Sequence, residues 1–483
     1  MTPDPWMPLL ARSWELILLG LHLGVAILAS GHAILHKREV RAAIGWTGLI
    51  WLAPLYGSLL YYLFGINRIH RKARDLKPAP QRYSPSPHEV AGPPLARELP
   101  RSVRDMERYE RRLTGRALAL GNRVTPLRNG DEAYPAMLEA IEGARGSVAL
   151  GTYIFDNDRA GAQFLRALHG AVVRGVQVRV LIDGVGARYS KPSMVRRLRA
   201  AGVPVAEFLP SVLPWRNPYL NLRNHRKILV VDGRVGFTGG LNIREACMLA
   251  LNPRHPTQDT HFRLEGPIVA HLACCFAEDW HFATGERLAG ADWFPTLEPC
   301  GASACRGIMD GPDDNFEQIW FTLLGALENA RRRVQIVTPY FLPDETLIAA
   351  LNTAALRGVE VDILVPRHGN LRFVEWAMTA QAGPVMDQGC RIWLTPPPFD
   401  HTKLMVVDEA WVLFGSANWD PRSLQLNFEF NVSCYDGDLG AQLAAFVDDL
   451  RGRAQRLEAE ALQRLPLWIR LRNGAVRLLQ PYL

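Results

Sequence analysis

Residues 224–242 read NHRKILVVDGRVGFTGGLN, and residues 401–418 read HTKLMVVDEAWVLFGSAN. Each copy sets a His and a Lys two apart at the head of an apolar strand. His225 and Lys227 therefore share one face, as do His401 and Lys403, while Arg226 points away. The apolar residues that follow, Ile228 to Val231 and Leu404 to Val407, anchor each strand in a core. Imidazole offers both a neutral nucleophile and a cationic acid near neutral pH. Two copies supply one of each. Lysine ammonium and asparagine amide groups donate to non-bridging phosphate oxygens, where charge must be held in a transition state. These residue types suit phosphodiester transfer. No Asp/Glu cluster at ligand spacing accompanies the histidines, so neither a metal nor another cofactor is expected, and cationic side chains take that part.

Asp232-Gly233 is a strong hairpin signal. A two-residue loop there pairs residue 231 with 234 and sets His225 opposite Gly240; a loop at Asp408-Glu409 sets His401 opposite Ser416. Asn242 and Asn418 follow two residues later on the same face. Each hairpin is thus expected to deliver His, Lys, Asn and a small residue that lets phosphate come close. Asp232 and Asp408 stand five residues past the Lys, roughly 16 Å along an extended chain. Turn-capping or a structural ion pair suits them better than contact with the reacting atoms.

The elements that must hold these motifs are themselves duplicated. AIEGARGSVALGTYIF (140–155) matches ALENARRRVQIVTPYF (326–341), and LHGAVVRGVQVRVLI (168–182) matches LNTAALRGVEVDILV (351–365). Each block reads helix, strand, helix, strand and leads to its own copy of the motif. The expected fold class is α/β, with two tandem α/β domains over 101–300 and 301–483 forming a pseudo-dimer within one chain. Tyr153 and Tyr340 end matched strands at the mouth of the cleft between them, to contact substrate or to pack.

Ahead of these lie two apolar runs, about 14–35 and about 44–64 in residue number. About 20 helical residues cross a hydrocarbon core, so the first 75 residues are expected to form a two-helix transmembrane hairpin. Residues 76–100 are crowded with proline and read as a semi-rigid linker. Basic residues between the runs (Lys37, Arg38, Arg41) and after them (Arg68, Arg71, Lys72, Arg74, Lys77) favour a cytoplasmic face for the rest of the chain. Seven cysteines without a C-x-x-C pair read as buried reduced thiols. A net charge of +7 suits an anionic partner. No basic groove interleaved with aromatics is evident, so a bilayer is expected and nucleic acid is not. The end of the chain, LPLWIRLRNGAVRLLQPYL (465–483), mixes apolar and basic residues, to lie on an anionic membrane surface or to pack on the second domain.

With these residues in view, the chain resembles the phospholipase D superfamily and its two H-x-K-x4-D motifs. It is more closely similar to the membrane-anchored bacterial cardiolipin synthases. The likeness covers nearly the whole chain: YYLFG (61–65), RNHRKILVVDG (223–233), TGGLNI (238–243), DTHFRLEGP (259–267), TPYFLPD (338–344), HTKLMVVD (401–408) and SANWDPRSLQLNFE (416–429). The resemblance implies two phospholipase D-like domains and a catalytic set of His225, Lys227, Asp232, His401, Lys403 and Asp408. His225 looks like the nucleophile that forms a phosphohistidine, and His401 like the acid and then the base. Asn242, Ser416 and Asn418 look like phosphate contacts. Glu429 resembles the carboxylate that orients His401, and Asp259 the one that orients His225; the bland alternative for both is a surface carboxylate. Arg422 reaches phosphate or braces its loop. The implied activity is a phosphatidyltransferase of the plasma (inner) membrane, which joins two phosphatidylglycerol molecules into cardiolipin and glycerol. The same site would serve a phospholipase D-type hydrolase or a phosphatidylethanolamine donor.

Overall fold

The computed structural model describes residues 7–37, 39–65, 101–210, 222–313 and 315–480. The proline-rich linker and the basic cluster from Arg68 to Lys77 lie outside the described residues. The chain divides into two compact units, residues 1–76 and 77–483.

In the first unit a helix runs from Met7 to His36, and its Leu16–His36 stretch is long and apolar enough to cross a membrane. The second apolar run is not one continuous helix, contrary to expectation. A helix over Val40–Leu52 ends at Ala53, and a separate helix, Pro54–Leu60, starts beyond it. Proline lacks the N–H that would continue the helix and disfavours helical geometry in the residue before it; Ala53 sits at φ −143, ψ 76. Thirteen residues reach only about 20 Å at 1.5 Å each. The two runs pack on each other through Ala26, Ala33, Ile50 and Tyr61, and the Tyr61 hydroxyl meets His32 Nδ1 at 2.8 Å.

The second unit is built on two runs of strands. The first comprises β1 (Ala119–Arg128), β2 (Ser147–Thr152), β3 (Gln177–Asp183), β4 (Val205–Phe208), β5 (Arg223–Asn224), β6 (Ile228–Val231), β7 (Val235–Gly239), β8 (Thr257–Gln258) and β9 (Thr260–Glu265). The second comprises β10 (Ser303–Asp310), β11 (Arg333–Val337), β12 (Glu360–Pro366), β13 (Arg391–Thr395), β14 (Phe399–Asp400), β15 (Leu404–Val407), β16 (Trp411–Gly415), β17 (Asn427–Tyr435) and β18 (Gln455–Arg456). The main sheet runs β18-β13-β12-β11-β15-β16-β17-β10-β1-β9-β7-β6-β2-β3-β4. Read outward from the central β1–β10 pair, the two halves give the same order. The duplication seen in the sequence is therefore a two-fold repeat of architecture, joined edge to edge in one continuous sheet. Strands β2, β3 and β4 are parallel, as are β11, β12 and β13, and helices cover them as a buried parallel layer requires.

One element sits where sequence order does not place it. The helix Arg101–Thr114 precedes the first repeat, yet Val103 and Met106 pack into the core of the second half. Arg306, fully buried, reaches Glu107 at 2.9 Å and Glu110 at 3.1 Å, and Glu110 also accepts from Ser433 and Tyr435. A buried charge so fully partnered holds the helix in one place, because losing any partner would strand the others.

The motif hairpins also close differently from the expected register. The ladders pair Val231 with Val235 and Val407 with Trp411, leaving three-residue connections. Asp232 and Gly233 have φ of 52 and 61, and Asp408 and Glu409 have 55 and 58. Continued along the strand, this register puts Leu241 and Ala417 level with the histidines, one residue out of step with Gly240 and Ser416.

Candidate active site

The strands preceding each histidine cross to the opposite half. β5 pairs with the start of β17, and His225 N–H donates to the Phe428 carbonyl at 2.9 Å. In the same way β14 pairs with β8, and His401 N–H donates to the Gln258 carbonyl at 2.8 Å. The residue after each accepting carbonyl is a carboxylate. Glu429 therefore meets His225 Nδ1 at 2.9 Å, and Asp259 meets His401 Nδ1 at 2.9 Å. This corrects the sequence-based pairing, which gave Glu429 to His401 and Asp259 to His225. Each imidazole is oriented by a carboxylate from the other half, so neither half holds a complete histidine–carboxylate pair.

Further bonds hold the two carboxylates. Glu429 accepts from Asn427 Nδ2 at 3.0 Å, and Asp259 from Thr260 N–H at 2.8 Å. Arg226, which points away from the histidine face, is buried and braces the junction. It donates to the Glu429 carbonyl at 3.0 Å, to Asp279 at 2.7 Å and to the Asp310 carbonyl at 3.0 Å. Sequence reasoning passed over its role; a basic residue on the core side of a buried strand was the available signal. The corresponding residue in the second copy is Thr402, whose hydroxyl lies 3.3 Å from that of Thr260.

Lys227 and Lys403 are buried beside the histidines, each ammonium donating to the carbonyl of the histidine two residues before it. The Lys227 ammonium also lies 5.7 Å from the Tyr153 ring centroid. Tyr153 stands edge-on to His225 at 5.2 Å between ring centroids, and Tyr340 to His401 at 6.4 Å, so both line the cleft. Phe399 lies 6.0 Å from His401 and completes that wall.

Asp232 and Asp408 are outside the site. Asp232 accepts the backbone N–H groups of Arg145, Gly146 and Ser147, and Asp408 those of Arg331, Arg332 and Arg333. They tie each hairpin to the start of β2 or β11. The spacing argument holds, and their place in the catalytic set does not. Ser416 is corrected too: it is fully buried, and its hydroxyl bonds the Phe430 N–H at 2.9 Å and its carbonyl at 3.3 Å. Asn418 donates one amide hydrogen to Ser423 at 3.1 Å, and Asn242 uses its carbonyl oxygen on Ile154 N–H at 3.2 Å, which keeps the Asn242 amide hydrogens available to a ligand.

The glycine in place of a serine at 240 has a steric cause. A Cβ on Gly240 would lie 2.4 Å from Asp259 Oδ2, and His401 also meets the Gly240 backbone. Gly240→Ser is therefore expected to push Asp259 off His401 and slow turnover by about 10- to 100-fold, as loss of an orienting partner does. Steady-state kinetics beside a thermal unfolding curve would check it. Loss of folding instead of rate would place the clash in the core rather than at the site.

Burial dominates the electrostatics. It pushes His225 down to about 4, with Lys227 and Lys403 adding to the effect and Glu429 opposing it. Burial lowers His401 well below its ordinary value, with both lysines and His225 acting the same way. That mutual influence places the two imidazoles and two ammonium groups within one field. Burial also depresses Lys227 to about 7 and Lys403 to about 8. The two carboxylates diverge. Burial pushes Asp259 up to about 8, with Asp400 adding to it. Burial acts upward on Glu429 too, but the His225 contact and Lys227 outweigh it and hold Glu429 below the usual range.

Comparison with known proteins agrees with the fold. A family model described as "Cardiolipin synthase, PLD-like domain" matches residues 137–280 and 323–450, and one described as "Phospholipase_D-nuclease N-terminal" matches residues 24–65. A cardiolipin synthase of Geobacillus kaustophilus is 34% identical, over 97% of this chain and 95% of its own. The major cardiolipin synthase ClsA of Bacillus subtilis is 33% identical, over 92% of this chain and 95% of its own. Among solved structures, a phosphatidylserine synthase of Haemophilus influenzae superposes with a TM-score of 0.59 over 78% of this chain and 100% of its own, at 14% identity, which is a likeness of fold.

Proposed function

Because this chain belongs to the cardiolipin synthase family with its duplicated phospholipase D-like domain, we propose a specific reaction for its cardiolipin synthase activity. It moves a phosphatidyl group from one phosphatidylglycerol to a second, giving cardiolipin and glycerol. One phosphodiester ester bond breaks and one forms, so no nucleotide energy is needed.

The observation that carries this reading is the crossed, unequal pair of histidine–carboxylate contacts. On the His225 side, Glu429 is ionised and the imidazole neutral, so Nδ1–H donates to Glu429 and Nε2 presents a lone pair. On the His401 side, burial keeps one proton in the Asp259–His401 pair near neutrality. The first pair is poised as nucleophile and the second as acid. His225 Nε2 attacks phosphorus and forms the P–N bond. The departing glycerol oxygen takes its proton from His401. The hydroxyl of a second phosphatidylglycerol then returns a proton to His401, attacks phosphorus and breaks the P–N bond. Lys227, Lys403 and the Asn242 amide hold the non-bridging oxygens. The phosphate's negative charge, arriving between two ammonium groups, offsets part of the field that adds to burial in depressing His401.

Purified protein given phosphatidylglycerol alone should yield cardiolipin and glycerol in equal amounts by mass spectrometry. Phosphatidic acid as the main product would favour the hydrolase, and a strict requirement for phosphatidylethanolamine would favour that donor.

The lysines set an alkaline limb. Each is charged below its depressed pKa and loses its charge as pH rises through about 7 for Lys227 and about 8 for Lys403. Affinity for the anionic donor should weaken over that window. The expected pH profile has kcat/KM falling between about pH 7 and 9, with the fall in kcat displaced upward because bound phosphate raises both lysines. A flat kcat/KM to pH 10 would contradict it.

This is a membrane protein of bacterial cardiolipin synthase type. Its N-terminal segments cross the membrane more than once and leave the catalytic part in the cytoplasm. Lys37 and Arg41 beside the first helix and the free thiols, six buried and Cys300 exposed, support that placement.

A further inference from the structure

The helix Leu467–Arg477 carries two apolar faces where a surface helix needs one. Asn473 and Val476 are buried and Ile469 half-buried, turned toward the helix Arg372–Met386. On the other side Leu467, Trp468, Leu471 and Leu478 are exposed at 69%, 64%, 64% and 77%. At about 100° per residue, these four and Ala475 fall within an arc of about 100°, turned away from the docked face. The packed helix extends the patch, since Leu371 and Phe373 at its start are exposed as well. A chain of ring contacts links the two helices: Phe373 edge-on to Trp376 at 5.4 Å, and Arg472 over Trp376 at 3.9 Å and Trp468 at 5.6 Å.

An apolar patch of this kind on a folded surface needs an occupant. Charge selects it. Residues 464–483 hold three arginines beyond Arg464 and no carboxylate side chain. Arg470 and Arg477 flank the exposed stripe on one side and Arg472 on the other. A second copy placed face to face would set arginine against arginine. An anionic lipid surface takes both features, the apolar stripe at the acyl boundary and the guanidinium groups at the phosphates. The patch also adjoins the cleft. Asn370, next to Leu371, accepts from the Tyr340 hydroxyl at 2.7 Å, and Tyr340 faces His401.

We propose that the outward face of Leu467–Arg477, continued by Leu371 and Phe373, beds into the surface of an anionic bilayer and holds the cleft mouth at headgroup level, so that phospholipid enters without leaving the membrane. The proposal rests on the lipid substrate of the preceding section, and its test separates the two. The full chain, carrying Leu471→Cys with the exposed thiol removed as Cys300→Ser, is labelled at position 471 with an environment-sensitive fluorophore. It is then reconstituted in phosphatidylglycerol–phosphatidylcholine vesicles. Quenching by lipids brominated high on the acyl chain is expected, and it reads insertion whether or not cardiolipin forms. A docked face with no cardiolipin made by the wild type would sink the functional reading alone. No quenching, or efficient bis-maleimide crosslinking of two unlabelled copies through the thiol introduced at position 471, would overturn the docking. A Leu471→Asp, Leu478→Asp variant should lose at least tenfold in turnover of bilayer phosphatidylglycerol and less than twofold on monomeric short-chain phosphatidylglycerol. Bilayer turnover unchanged within twofold would overturn the proposal as well. The short-chain assay reports that the variant is folded.

Discussion

His225→Ala is expected to lower turnover by about 10,000-fold or more and to leave no lipid–protein adduct under any condition. The magnitude follows from removing a covalent nucleophile whose partners act as a unit. His225 is the imidazole held neutral by burial and aligned through Nδ1 by Glu429, so its loss removes the atom to which phosphorus transfers. His401→Asn should fail differently. The adduct should form slowly, because the leaving glycerol lacks its acid, and then persist, because the acceptor hydroxyl lacks its base. Rapid-quench measurement of bound lipid beside product release distinguishes the two. If both variants lost adduct equally, the division of labour would be wrong.

The second large effect concerns the crossed carboxylates. Glu429→Gln should slow adduct formation by about 100- to 10,000-fold, since it removes the acceptor that fixes the His225 tautomer. Asp259→Asn should weaken the steps in which a proton passes through His401, so adduct accumulates while turnover falls. Single-turnover kinetics on the two variants read these apart. An uncrossed site would give the reverse: Asp259→Asn blocking formation and Glu429→Gln blocking release. The crossing also makes the halves interdependent. Because His225 and His401 take their backbone bonds from Phe428 and Gln258, misalignment at the β1–β10 junction would unseat both imidazoles together.

The residues of the site were legible in the sequence because their spacing repeats. A His and a Lys two apart on a strand share a face wherever that strand lies, and an Asp five residues on lies too far away to join them. The duplicated helix–strand blocks predicted β2, β3, β11 and β12 for the same reason: local periodicity reports local structure. What was not legible depended on contacts distant along the chain. Glu429 lies 204 residues from His225 and Asp259 lies 142 from His401, and only the joint between the two halves decides which carboxylate faces which imidazole. The hairpin register missed by one because left-handed backbone at Asp408 and Glu409 lengthens the connection without a glycine to announce it. The helix Arg101–Thr114 could not be assigned to the second half without knowing that Arg306 would bury itself against Glu107 and Glu110. The break at Ala53–Pro54 could have been read, since proline ends helices; the run's hydrophobicity outweighed it. Gly240 was legible as a departure from its twin Ser416, but its cause, the Asp259 carboxylate against its backbone, was not.

The measurement that bears most directly on the account is the site of the covalent intermediate. The full-length protein, reconstituted with phosphatidylglycerol and quenched within a single turnover, can be digested at alkaline pH, where phosphohistidine survives, and mapped by tandem mass spectrometry. The account predicts the phosphatidyl mass on the peptide containing His225, increased in the His401→Asn variant and absent from the peptide containing His401. A modified His401 in the wild type, or turnover with no protein-bound phosphorus at all, would contradict it.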